Sequence, residues 1–244
     1  AGLPWLLRRR PANRAVRCEW AETRTTMSLQ GVGAVVTGGA SGIGQGVCRA
    51  LVEQGANVIV ADMQDELGVA FAAESSQLTY VKCDVTSTAD LEVVVKAAEQ
   101  LPGGGGASIW FLNAGIAEVA DLLEAPEDKR WKKVMDIDIT AVIEGASLAY
   151  EHILAHEHVT GTDTPKFIIS TASMAGLLPQ TGPVYAAAKA AVIQFGRSMA
   201  TRPDVNGHNI MCYSLCPSFT DTPLARQDVS IDDEGTQTQR PPPP

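Results

Sequence analysis

The stretch Ala34-Val35-Val36-Thr37-Gly38-Gly39-Ala40-Ser41-Gly42-Ile43-Gly44 constrains this chain more than any other. Two valines beside an alanine predict a short buried strand. Four glycines follow within seven residues. Val47, Ala50, Leu51 and Val52 then recur at helical spacing as far as Gly55. Strand, glycine-rich turn and helix aim backbone N–H groups and a helix N-terminus at one point, which is how a chain holds phosphate. Small residues are needed there because the backbone itself must approach the ligand. The spacing is Thr-Gly-x-x-x-Gly-x-Gly rather than Gly-x-Gly-x-x-Gly, and it also fits a tight turn with no ligand. The rest of the chain decides between the two.

From residue 32 onward strand and helix patterns alternate. Strands are expected over 32–37, 57–61, 78–83, 107–112, 166–171 and 208–215, and helices over 42–55, 64–75, 87–101, 127–157 and 183–201. Alternating β and α predicts a parallel sheet covered by helices on both faces. Right-handed crossovers make it a doubly wound α/β sheet. Pro102-Gly103-Gly104-Gly105-Gly106 reads as a connector before the fourth strand.

A hydrophobic content of 45% in 244 residues is enough for one large core. The net charge of −9 argues against a nucleic-acid surface, and no apolar run is long enough to span a bilayer. The five cysteines (18, 48, 83, 212 and 216) are odd in number and lack paired spacing. They read as reduced thiols of an intracellular, cytoplasmic protein, and no metal site is expected.

Residues 1–26 differ from the rest. They hold six arginines and two acids, whereas the remainder carries 13 basic and 26 acidic residues. The segment reads either as an arginine-rich organelle transit peptide or as a cloning or gene-model extension ahead of a true start at Met27. It is excluded from the expected domain, 27–224, and residues 225–244 read as a polar tail.

The second strand ends at Asp62, 18 residues past Gly44. An acid there can accept hydrogen bonds from both ribose hydroxyls of an adenosine, and it repels a 2′-phosphate, which favours NAD over NADP. Asp84-Val85 and Asn113-Ala114-Gly115 close the third and fourth strands, where ligands bind in open α/β sheets. Asp84 is suited to an adenine amino group, and Asn113 and Gly115 to close passage of the chain under a ribose. Ser173 follows the fifth strand. Tyr185 and Lys189 stand at i and i+4, so they share one helix face. A nearby ammonium favours a phenolate, which fits Tyr185 to exchange a proton with a hydroxyl or carbonyl.

With these pieces in order, residues 31–224 resemble the short-chain dehydrogenase/reductase family. The resemblance rests on Thr37-Gly38-x-x-x-Gly42-Ile43-Gly44, Asp62, Asp84-Val85, Asn113-Ala114-Gly115, Ser173, Tyr185-x-x-x-Lys189, and Pro217 followed by Thr222. It implies a Rossmann fold and hydride transfer between NAD(H) and a secondary alcohol or ketone. Tyr185 is then the acid/base, Ser173 positions the substrate, and Lys189 holds the nicotinamide ribose. The cofactor-binding set implied is Gly38, Ser41, Gly42, Ile43, Gly44, Asp62, Met63, Cys83, Asp84, Val85, Asn113, Gly115, Tyr185, Lys189, Pro217, Thr220 and Thr222. A homo-oligomer is implied as well, with the long helix helping to form the interface. Cys83-Asp84-Val85, Ser173 to Pro179 and Pro217 to Thr222 look similar to NAD-dependent 15-hydroxyprostaglandin dehydrogenases.

Several positions depart from the family pattern. Asp138 stands where the family has the helix asparagine of its proton relay, and its charge near Lys189 predicts weakened or alkaline-shifted catalysis. Leu112 replaces the first asparagine of Asn-Asn-Ala-Gly, and Ser218 replaces the glycine after Pro217. Ser173 precedes Tyr185 by one residue fewer than usual. The family's substrate lid and last strand have no counterpart in Pro223–Pro244, which predicts an exposed sheet edge. Two rivals stay in view: a sugar-nucleotide epimerase, which shares Tyr-x-x-x-Lys but has the Gly-x-x-x-Gly-x-Gly spacing and the short chain against it, and a catalytically weak or inactive binding protein on the same fold, for which Asp138, Ser218 and the short C-terminal part speak. His152 and His156, at i and i+4, read as a solvated or subunit-facing helix end rather than as metal ligands.

Overall fold

The computed structural model describes residues 28–118, 129–161, 165–179, 182–226, 229–231 and 237–239. The expectations for residues 1–26, for Cys18 and for much of the tail lie outside them. Six strands form one parallel sheet in the order β3-β2-β1-β4-β5-β6. They are β1 (Gly33–Thr37), β2 (Asn57–Asp62), β3 (Leu78–Lys82), β4 (Ala107–Leu112), β5 (Lys166–Thr171) and β6 (Ile210–Leu215). Helices α1 (Gly42–Glu53), α2 (Asp65–Ala72) and α3 (Thr88–Glu99) link the first four strands. The order reverses direction at β1, whose neighbours are β2 and β4. This is the doubly wound Rossmann arrangement that the alternating pattern predicts.

The strand pattern accounts for the layers. Side chains alternate between faces, so Val35, Ile59, Trp110 and Ile168 join one core with Leu91, Val94, Val142 and Ala146. Ala34, Val36, Val58 and Val60 join the other with Cys48 and Phe71. Each fully buried valine contributes roughly 1.5–3 kcal/mol relative to exposure. No described helix is long and apolar enough to cross a membrane.

The structure differs from the sequence reading in four places. The long helix expected from 127 is described from α4 (Trp131–Met135). It passes through one π-helical turn (Asp136–Thr140) into α5 (Ala141–Thr160). The extra residue of a π-turn re-aims side chains, and such turns gather at functional sites; here Ile137, Asp138 and Ile139 are all buried. After α6 (Pro183–Ala200), a short α7 (Pro203–Gly207) begins on a proline, whose fixed φ suits a first helical turn. The tail contains an antiparallel pair, β7 (Val229–Ile231) with β8 (Gln237–Gln239), separate from the main sheet.

The fourth difference is His152, which is buried rather than solvated or subunit-facing. Its Nε2 accepts the Ala107 N–H at 2.9 Å, its edge meets Trp110, and it stacks on His156 with centroids 4.2 Å apart. A buried N–H at a strand start needs an acceptor, and the imidazole supplies one. The i, i+4 spacing serves this contact and the stacking instead of a shared solvent face.

Candidate active site

A cleft of about 480 Å³ opens at the carboxyl ends of the strands, over the reversal at β1 and β4. That is where open α/β sheets bind ligands. The glycine-rich loop forms one wall. Gly38 and Gly42 have φ of +63° and +53°, a region that side chains with a Cβ rarely enter. A Cβ at Gly38 would also come within 2.9 Å of the Ala114 Cα. Ser41 makes no side-chain cap bond among the described residues, so its hydroxyl does not compete for the first N–H groups of α1, whose Gly42 and Ile43 line the cleft.

The strand ends are tied together beneath the loop. Thr37 Oγ1 accepts the Asn113 and Ala114 N–H groups at 2.9 and 3.1 Å. Asn113 Nδ2 donates to the Thr37 and Gly38 carbonyls at 3.2 Å each, and its Oδ1 accepts from Thr171 Oγ1 at 3.0 Å. Asn113 thus lines the cleft while its amide group joins β1, β4 and β5. Gly44, expected at the ligand, does not line the cleft; it packs under the loop, where a Cβ would come within 2.7 Å of Asn113 Nδ2.

The remaining expected residues converge. Gly38, Ser41, Gly42, Ile43, Asp62, Met63, Cys83, Asp84, Val85, Asn113, Gly115, Asp138, Ser173, Tyr185, Lys189, Pro217, Thr220 and Thr222 all line this one cleft. Asp62 is buried at the end of β2. Its two oxygens accept the Ala40 and Gln64 N–H groups at 3.0 Å each, which fixes the carboxylate beside the glycine-rich loop. The Cys83 thiol is pushed up to about 12 by burial and by the carboxylates of Asp90, Asp84 and Asp62, so it stays protonated.

At the other end of the cleft, Ser173 caps a short 3₁₀ turn, its Oγ accepting the Ala175 N–H at 3.1 Å. Tyr185 and Lys189 lie on α6, with Lys189 Nζ 5.5 Å from the centre of the Tyr185 ring. Lys189 is almost fully buried. Its ammonium donates to the Thr171 carbonyl at 3.1 Å and lies 3.0 Å from Asp138 Oδ2. Asp138 Oδ1 accepts the Ile116 N–H at 2.8 Å. Burial raises the proton affinity of Asp138, while Lys189 and the Ile116 N–H pull it back down.

Sequence reasoning missed three contributors. The π-turn that carries Asp138 inward has no periodic signature. Thr171 was read only as a strand residue. Glu118 was not singled out, yet it lines the cleft and holds the N-terminus of α6. An acid three residues past Gly115, in the otherwise uncharged Gly115–Ala120, was the available signal.

Comparison with known proteins agrees with this geometry. The sequence profile described as short chain dehydrogenase matches residues 33–232. The chain is similar to 2,5-dichloro-2,5-cyclohexadiene-1,4-diol dehydrogenase of Sphingobium indicum, 34% identical over 84% of this chain and 78% of that protein. It is also similar to bovine (Bos taurus) 15-hydroxyprostaglandin dehydrogenase [NAD(+)], 29% identical over 82% of this chain and 72% of that one. A short-chain type dehydrogenase/reductase from Mycobacterium marinum superposes with a TM-score of 0.73 at 28% identity, covering 82% of this chain and 77% of that chain. The protein is an oxidoreductase by fold, cleft and relatives. More narrowly, it belongs to the short-chain dehydrogenase/reductase family.

Proposed function

We propose that this chain transfers a hydride between NAD(H) and a small-molecule secondary alcohol or ketone. The observation that carries the reading is the convergence of Ser173, Tyr185 and Lys189 on the cleft that the glycine-rich loop and Asp62 also line. The loop fits a dinucleotide: two glycines at positive φ clear the approach, and the N-terminus of α1 favours a phosphate. Bound NAD would supply the hydride acceptor for alcohol oxidation. Gly38, Ser41, Gly42 and Ile43 would hold its phosphates, and Asp62 and Met63 its adenosine ribose. Cys83, Asp84 and Val85 would flank the adenine, and Asn113, Gly115, Pro217, Thr220 and Thr222 the nicotinamide half. Gly44 serves that site indirectly, through the packing that keeps the loop in shape.

Tyr185 Oη takes the hydroxyl proton as the alcohol becomes a carbonyl, and returns it in the reverse direction. Ser173 orients the reacting oxygen. Lys189 keeps a positive charge beside the Tyr185 ring and a donor at the nicotinamide ribose. The Asp62 carboxylate disfavours a 2′-phosphate, which selects NAD over NADP; the cofactor in the bovine relative's name is consistent with this. Homo-oligomerisation through α5 fits the exposed Ile143 and Val159 on that helix, and light scattering of the purified chain tests it.

One observation favours a second reading, a catalytically weak relative. Asp138 forms an ion pair with Lys189 and so competes for the charge that Tyr185 needs. Titration with NADH and NADPH, followed by nicotinamide fluorescence, tests the cofactor assignment. Saturable binding that prefers NADH is expected. Turnover with a panel of secondary alcohols then separates the two readings, because an inactive protein would bind NADH and oxidise none of them.

A further inference from the structure

Exposed apolar side chains stand beside Ser173, and the reading above does not explain them. Phe219 lines the cleft and is 92% exposed. Leu177 and Leu178 are exposed at the end of the short turn that Ser173 caps. Backbone bonds join the two segments: the Met174 N–H donates to the Pro217 carbonyl at 3.0 Å, and the Leu177 and Leu178 N–H groups donate to the Met174 carbonyl at 3.0 and 2.9 Å. Ile116 and Met174 continue the apolar lining into the cleft. A large apolar side chain left in water at the mouth of a ligand cleft marks a surface that an apolar ligand covers. Charge at this end is one-sided. Among the described residues that line the cleft, Lys189 is the one base, and its ammonium is already paired with Asp138. Glu118 adds a second carboxylate, which accepts the Val184 and Tyr185 N–H groups at 3.0 Å each and so stands at the start of the helix that carries Tyr185.

We infer that the substrate is a secondary alcohol, or the matching ketone, whose uncharged apolar skeleton extends from the reacting carbon over Phe219. This deepens the oxidoreductase reading of the same site and rests on it. The reacting oxygen stands at Ser173 and Tyr185, and the apolar body beyond it covers the Phe219 ring. Each added apolar group that leaves water there strengthens binding. An anionic group in the same position meets the Glu118 carboxylate and, among the described lining residues, no unpaired cation, so it is disfavoured by like charge.

The test compares cyclohexanol, 4-cyclohexylcyclohexanol, 4-hydroxycyclohexanecarboxamide and 4-hydroxycyclohexanecarboxylate, each with the full chain and NAD. The second ring is expected to raise kcat/KM over cyclohexanol by about tenfold or more. The neutral carboxamide is expected to exceed the carboxylate of nearly the same shape by about tenfold or more. Phe219→Ala should shrink the first ratio toward one, with the melting temperature unchanged because the side chain is exposed. Equal kcat/KM with and without the second ring in the intact protein would overturn the inference, as would a carboxylate preferred to its carboxamide. A first ratio that survives Phe219→Ala would also overturn it; if light scattering of that variant showed a smaller assembly as well, the surface would belong to a second copy of the chain. The same ratios are read as Kd values by ligand-observed NMR with and without NADH, so a chain that binds but does not turn over still answers. Failure of NADH to bind counts against the cofactor reading alone.

Discussion

Strand β5 has a buried lysine near each end, and the two are partnered differently. At its amino end, Lys166 is enclosed by acceptors: the Gly161 carbonyl at 2.6 Å, the His208 carbonyl at 3.3 Å and Glu157 Oε1 at 3.4 Å. Glu157 also holds His208 Nδ1 at 2.9 Å, so the cluster ties α5, β5 and the start of β6 together. At its carboxyl end, Lys189 has the Thr171 carbonyl and Asp138, and it lines an open cleft beside an aromatic ring. Burying an ammonium is expensive in both places. Below the sheet that expense is offset within the fold, and the result is structure. Above it, the charge is left facing a space that a ligand can enter, and the result is chemistry. Substitutions at the two ends should therefore separate activity from stability.

The largest effect is expected at the cleft. Tyr185→Phe should lower kcat by about 10²–10⁴-fold, the usual contribution of a positioned acid/base, with the melting temperature unchanged. A large loss of stability in this variant would collapse the distinction between the two ends. The converse is Lys166→Met. The new side chain fills the stem but strands the Gly161 and His208 carbonyls, at about 1–3 kcal/mol each. Urea unfolding should register a loss of roughly 3 kcal/mol, while kcat/KM per folded molecule stays the same.

The same contrast separates what the sequence disclosed from what it hid. Strand periodicity marked all six strands of the sheet, because buried parallel strands read as apolar runs such as Val58–Ala61. The cleft was legible because its residues carry unusual chemistry at fixed spacing: glycines at 38 and 42, Asp62 at a strand end, Tyr185 and Lys189 one turn apart. The amino-end cluster was not, since Lys166, Glu157 and His208 are scattered in sequence and meet only when three elements pack. His152 was misread for a related reason: its partner is a backbone N–H, which has no sequence signature. Glu118 was overlooked because its role depends on α6, whose approach no local pattern predicts.

Acid titration sharpens the comparison further. His152 sits below the sheet, and burial lowers its pKa from 6.5 to about 4, with His156 adding a smaller effect. The native state therefore binds fewer protons than the unfolded chain between those values. Its stabilising contribution is complete above pH 6.5 and is lost as pH falls toward 4, by up to about 3 kcal/mol. Protonation would also turn Nε2 into a donor facing the Ala107 N–H that it now accepts. Urea midpoints of the intact protein should fall between pH 6.5 and 4, and His152→Phe should flatten that slope whatever its absolute stability. A slope unaltered by the substitution would reassign the acid sensitivity to other groups.

Asp138 has the opposite sign and the smallest expected effect. Burial raises its proton affinity, so just above pH 3.8 the native state binds more protons than the unfolded chain. Its contribution to stability is full below pH 3.8 and declines as pH rises through its native value. Lys189, 3.0 Å away, offsets part of that decline, so the residual charge bears mainly on the reaction. Asp138→Asn keeps the acceptor for the Ile116 N–H and removes the charge beside Lys189. The pH profile of alcohol oxidation should then move to lower pH by roughly one unit, about 1.4 kcal/mol, with kcat unchanged or higher. If neither the profile nor kcat moves, Asp138 acts as a structural tie between the π-turn and α6, and the cleft end would resemble the amino end more than the contrast allows.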